Sequence, residues 1–108
     1  AGLLSDKYAG DVTVPGSRRA LQGQLNGRMT DRSVAATSAY ANLARQNDMT
    51  PAQMALAFCR SRPFVASTII GATTPDQLAE NLQAAEITLS DEVQNAIGDL
   101  HRRFATPM

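Results

Sequence analysis

From Ser33 onward, apolar residues recur at helical spacing. Ala36, Tyr40, Leu43 and Ala44 fall at i, i+4, i+7 and i+8, which is one face of a helix, and Asn47-Asp48 is a fitting stop. Thr-Pro-Ala-Gln follows at residues 50–53. Thr50 is a candidate N-cap, and Pro51 suits the first helical position, where an N–H would have no partner. Gln53 can reach back to close a capping box. Ala52, Ala55, Leu56 and Cys59 keep the spacing until Pro63 ends the helix. The pattern then changes. Residues 64–70, Phe-Val-Ala-Ser-Thr-Ile-Ile, are short, β-branched and apolar on both faces, which predicts a buried parallel strand between Pro63 and Gly71. Thr-Pro-Asp-Gln at residues 74–77 repeats the helix-start signal, and Leu78, Leu82 and Ala85 sit at i, i+4 and i+7. Ser90 opens a last helix with Asp91 and Glu92 in its first turn, where carboxylates suit the dipole. Val93, Ile97, Leu100 and Phe104 form its apolar stripe. Gly98 interrupts this helix at a cost of about 1 kcal/mol relative to alanine.

Before Ser33 the pattern is weaker. Residues 1–8, Ala-Gly-Leu-Leu-Ser-Asp-Lys-Tyr, read as a strand end or a frayed terminus. Residues 9–32 hold Gly10, Pro15, Gly16, Gly23 and Gly27 with little steady period, and read as a long loop of the kind that often binds ligands. The predicted order is strand end, loop, two helices, strand, helix, helix. One well-defined parallel strand cannot satisfy its own N–H and C=O groups. Its neighbours come from another chain or from the rest of a larger α/β domain, and the second reading is preferred. The chain opens on Ala1 with Leu3-Leu4 close behind, as if joined in mid-domain.

Composition narrows the function. In 108 residues, ten basic and ten acidic side chains cancel to a net charge of zero. That argues against a nucleic-acid or anionic-membrane binder. No apolar run approaches the roughly 20 residues that span a bilayer. Cys59 is the single cysteine, so neither an internal disulfide nor a cysteine zinc cage can form, and a reducing cytoplasm is the expected setting.

The most informative stretch runs from the predicted strand through Gly71-Ala72-Thr73-Thr74 into a helix. Gly71 lets a ligand or another backbone approach, and the first helical turn offers free N–H groups to an anion. Thr73 and Thr74 add hydroxyls. Gln77 and Asn81 lie one turn apart on the same side, placed to grip a phosphate and then a ribose or base. The plainer reading is that Thr74 caps the helix, Gly71 turns the chain and Asp76 discourages an anion. Lys7 with Arg18-Arg19 is a second candidate, cations that could close over a phosphate; solvated surface charge is its plain alternative. Arg60, Arg62, Arg102 and Arg103 read as surface charge near helix ends. His101 is the single histidine, with no second imidazole for a metal site, and reads as a surface or helix-end residue. Cys59, Met49 and Met54 read as packing. No carboxylate pair stands out for acid–base work.

Residues 67–90, Ser-Thr-Ile-Ile-Gly-Ala-Thr-Thr-Pro-Asp-Gln-Leu-Ala-Glu-Asn-Leu through Ser90, resemble the C-terminal signature of aldo-keto reductases. The likeness is greatest to the bacterial branch that is itself similar to potassium-channel β subunits. Residues 1–8 look like the family's Gly-x-x-Ser-Gly-Lys-Tyr segment at the end of the seventh barrel strand, with Asp6 where glycine is usual. Residues 50–63 resemble the helix before the eighth strand. The resemblance implies an α/β fold, the C-terminal portion of a (β/α)8 TIM barrel that is mostly helical over this stretch. Residues 1–8 would end a barrel strand, 9–32 form a loop, 33–62 helices, 64–70 the last barrel strand and 75–104 the C-terminal helices. It also implies NADP(H) as cofactor. Gly71, Thr73, Gln77, Glu80 and Asn81 match positions that hold its adenosine and 2′-phosphate end, and Lys7 and Arg18 match basic positions over its phosphates.

The family's catalytic Asp, Tyr, Lys and His belong to an N-terminal portion that no segment here matches; Tyr8, Tyr40, Lys7 and His101 do not take those roles. The expected function is therefore nicotinamide cofactor binding within an oxidoreductase that reduces a small aldehyde or ketone, with no reaction centre and no metal site in this chain. Two alternatives stand beside it: a non-catalytic nucleotide-sensing or partner-binding subunit related to the channel β subunits, and a helical interaction module in which Thr74-Pro75-Asp76-Gln77 is only a cap.

Overall fold

The computed structural model describes Leu4 and residues 30–105 of the chain. The expectations for residues 1–8 and for the loop up to residue 29, with Lys7 and Arg18, lie outside the described residues, apart from Leu4. Four helices follow in order: α1 (Asp31–Gln46), α2 (Pro51–Ser61), α3 (Pro75–Gln83) and α4 (Asp91–Arg103), with a 3-10 turn (Ala84–Glu86) between the last two.

Each helix start is closed by its own residues. Thr30 caps α1: its hydroxyl accepts from the Ser33 N–H at 3.0 Å, and the Ser33 hydroxyl accepts from the Thr30 N–H at 2.9 Å. Helix α1 therefore begins two residues before Ser33, and Asp31 and Arg32 belong to it rather than to a loop. Helix α2 has the same reciprocal arrangement between Thr50 and Gln53, with Pro51 at the first position. Ser90 caps α4 through the Val93 N–H at 3.2 Å. These bonds satisfy first-turn donors that have no partner within the helix. At the other end of α1, the Asp48 N–H donates to the Arg45 carbonyl and the Met49 N–H to that of Ala44. This Schellman closure places Asp48 in the left-handed region, at φ 59°.

The core joins α1, α2, α4 and the segment before α4. Ala44, Met54, Ala57, Leu89, Val93 and Ile97 are its buried members, with Tyr40, Leu43, Met49, Phe58 and Ile87 packed around them. Arg32 ties α1 to the end of α4 by donating to the carbonyls of Arg103 and Ala105 at 3.5 and 3.4 Å. Small residues Ala36, Ala41 and Ala44 on α1 are buried, which lets neighbouring elements approach its backbone.

Beyond the earlier start of α1, the structure departs from expectation in two places. Residues 64–70 are not in a strand, and the described residues contain no strand at all. Phe64 is 82% and Ile69 96% exposed. A β-branched run without neighbouring strands has nothing to take its N–H and C=O groups, so propensity alone does not make it a strand. The second departure concerns α2. Its buried residues are Pro51, Gln53, Met54 and Ala57, while Cys59 is exposed rather than core filler. Most of the helix is apolar on every side, so spacing did not settle which face turns inward.

Candidate functional site

The stretch from Gly71 to Asn81 is organised by hydrogen bonds at the head of α3. Thr74, in extended backbone, accepts from the Gln77 N–H at 3.1 Å and so caps the helix. Thr73 donates twice to one atom: its N–H reaches Gln77 Oε1 at 2.8 Å and its hydroxyl reaches the same oxygen at 2.9 Å. One turn further along, Asn81 Nδ2 donates to the Gly71 carbonyl at 3.2 Å. Gly71, Thr73, Gln77 and Asn81 are thus brought together. Glu80 shares the helix but is not among these bonds; its main-chain carbonyl accepts from Gln53 Nε2 of α2 at 3.5 Å.

Chemically, this is a place where two donors converge on a single oxygen. The Gln77 carbonyl oxygen sits there, and a phosphoryl oxygen would make the same two bonds. A Cβ added at Gly71 would meet nothing within 4 Å, so the loop is open on that side. The helix supplies no cation: α3 carries Asp76 in its first turn, Glu80 beyond it, and neither Lys nor Arg. Full charge pairing for an anion would have to come from outside α3.

The other residues singled out from sequence lie elsewhere. Arg60 donates to the Ile87 carbonyl at 2.9 Å, and Arg62 stacks on Phe58 at 4.6 Å and bonds Gln94, so both make tertiary contacts rather than only facing solvent. Cys59 and His101 line an apolar groove of about 330 Å³ with Leu4, Tyr40, Met54 and Phe58. Burial there raises the Tyr40 phenol above its ordinary 10.0. Among the described residues no three of His, Cys, Asp and Glu gather as metal ligands, and no helix is long and apolar enough to cross a membrane.

Sequence reasoning missed the part played by Gln53 and Gln83. Gln53 is buried, and its Nε2 donates to Gln83 Oε1 at 2.9 Å, joining α2 to the last turn of α3. The available signal was a glutamine at a helix N3 position, where a glutamate would cap as well.

Comparison with known proteins places these residues in a family. The model of the aldo/keto reductase family matches residues 1–102. Protein tas of Escherichia coli K12 is 39% identical over 106 residues, covering 98% of this chain and 31% of that protein. An uncharacterized oxidoreductase of Mycobacterium tuberculosis H37Rv is 40% identical, covering 95% of this chain and 31% of its own length. A putative voltage-gated potassium channel subunit beta of Schizosaccharomyces pombe is 33% identical, covering 93% and 31%. The chain belongs to the aldo/keto reductase family. It spans about a third of the length of these curated relatives.

Proposed function

We propose that this chain is the NADP(H)-binding C-terminal portion of a (β/α)8-barrel oxidoreductase that reduces aldehydes or ketones. The observation that carries this reading is the convergence of the Thr73 N–H and hydroxyl on one oxygen at the head of α3, in a member of this family. Those two donors suit a phosphoryl oxygen. The amides of Gln77 and Asn81 and the Glu80 carboxylate suit the hydroxyls and base of a nucleoside. Lys7 and Arg18 would supply the cations that α3 lacks. The bound cofactor would supply hydride to the carbonyl carbon. This chain's residues would fix its adenosine end, which is the protein's share of such chemistry. Residues 64–70, apolar on both faces and largely exposed here, suit a last barrel strand once neighbouring strands pair with them. A cytoplasmic setting, rich in the reduced cofactor, belongs to the same reading.

The test is titration of NADP+ and NAD+ into this chain, alone and joined to the upstream portion that its relatives have. Tighter binding of NADP+ is expected, with at least a tenfold loss in the combined Arg18→Ala, Gln77→Ala, Asn81→Ala variant. Unchanged binding in that variant would overturn the site. The likeness to a channel subunit beta favours a second reading, a nucleotide-sensing subunit without turnover. Carbonyl reduction by the joined protein separates the two.

A further inference from the structure

Helix α3 carries the candidate site yet is held loosely. None of its residues is buried, and Leu78 and Leu82 are 44% and 59% exposed. Below it, Ala84 of the 3-10 turn is buried. Beyond that, the described polar bonds from α2 to α3 come from one side chain, Gln53.

Gln53 is 9% exposed, and both ends of its amide are used. Its Oε1 accepts from the Thr50 N–H at 3.1 Å, and its Nε2 donates to Gln83 Oε1 at 2.9 Å and to the Glu80 carbonyl at 3.5 Å. The Thr50 bond decides the orientation of the amide, because only the oxygen can accept it. The nitrogen must then face α3. Leaving a buried amide half-bonded is costly, so the two bonding requirements act together. A capping box works equally well with glutamate at this position. The cap therefore does not need an N–H here, whereas the bond to the Glu80 carbonyl does.

We infer that Gln53 is a positioning residue, which uses the start of α2 as a fixed reference for the setting of α3 and so places the donors from Thr73 to Asn81. The inference rests on the nucleotide-site reading only for what those donors hold. The path is short: Gln53 bonds the carbonyl of Glu80, the next residue is Asn81, and Asn81 bonds Gly71 at the start of the loop.

The experiment uses the whole chain, with amide NMR and hydrogen exchange as readouts and NADP+ as the probe ligand. Gln53→Glu combined with Gln83→Ala keeps the cap and removes the whole bridge, since Gln83 left in place could turn its amide and donate to the new carboxylate. Exchange in α3 should speed about five- to tenfold, the loss of roughly one hydrogen bond. The Thr73 amide and Asn81 side-chain resonances should move. Thr50→Ala, which damages the cap and spares the bridge, should speed exchange in the first turn of α2 and leave those resonances in place. Gln83→Lys in place of Gln83→Ala, beside Gln53→Glu, restores a donor across the same gap and should return them. Should the double variant not fold, Gln83→Ala alone reads the Gln53–Gln83 bond from the exposed side. Thr73 and Asn81 resonances unmoved by the loss of the bridge, or moved equally by Thr50→Ala, would reduce Gln53 to a cap and overturn the inference. If they move as expected while NADP+ fails to perturb Thr73–Asn81 in the unsubstituted chain, the positioning role stands and the nucleotide reading falls.

Discussion

The side-chain amide of Asn81 donates to the main-chain carbonyl of Gly71 at 3.2 Å, across ten residues of sequence. That bond folds the entry loop back along α3 and sets the open side of the site. Asn81→Ala should cost about 0.5 kcal/mol, the low end for one exposed hydrogen bond. Urea denaturation measures that cost. NADP+ titration of the same variant should show weaker binding, since the loop is no longer fixed in place beside Thr73.

Gln77→Glu should move stability and binding in opposite directions. A carboxylate would receive the two Thr73 hydrogen bonds more strongly and would favour the positive end of the α3 dipole, gaining about 0.5–1 kcal/mol. The same charge occupies the point proposed for a phosphoryl oxygen and repels it. Thermal denaturation and NADP+ titration on one sample test both. A more stable variant that binds NADP+ as well as before would remove Thr73 from the anion site.

Asp48 closes α1 with φ 59°. An L-residue there carries a Cβ close to the following carbonyl, which glycine lacks. Asp48→Gly should therefore stabilise the chain, by up to about 1 kcal/mol after the greater freedom of glycine in the unfolded state is subtracted. The urea midpoint should rise with no change in slope.

Gly98 lies inside α4, where a Cβ would meet only the end of the flexible Arg102 side chain at 3.8 Å. Gly98→Ala fits that space and should add about 0.5–1 kcal/mol through helix propensity. A lower melting temperature would mean that α4 packs more closely there than its described neighbours require.

The Tyr40 phenol is raised above 10.0 by burial. Near and above that pH the folded chain binds more protons than the unfolded one, so the slope of stability with pH is negative. The stability held by the neutral phenol is complete below about pH 10, the unfolded value, and is lost as pH rises through the higher folded value. Tyr40→Phe has no proton to lose, and its urea midpoint should fall less between pH 9.5 and 11, a range of about 1.5 units chosen to bracket the ordinary tyrosine value.

Local instructions are legible in the sequence itself. The Thr50–Gln53 box, Pro51 at the first helical position, the Ser90 cap and the Val93–Ile97 stripe all appear in the structure, because each acts within one or two helical turns. The cluster at the head of α3 was legible for the same reason: Thr73, Thr74, Gln77 and Asn81 are neighbours on one turn-and-helix unit. Capping at Thr30 was less plain, since it pairs with Ser33 and the helix started earlier than its apolar spacing suggested.

Other features needed partners distant along the chain. The run at residues 64–70 has the composition of a buried strand, yet strand formation depends on neighbouring backbones that local sequence does not supply. Gln53 reads in the sequence only as the capping partner of Thr50. Only the packing of α2 against α3, 30 residues away at Gln83, turns its amide inward and gives it two tasks. Cys59 reads as core but lies exposed, because a helix apolar on most sides offers several faces for burial and the neighbouring elements select one. The sequence by itself therefore determined where α2, α3 and α4 begin and which residues gather at the head of α3. The tertiary structure decided which faces are covered and what holds that helix, because burial and long-range hydrogen bonds depend on both partners at once.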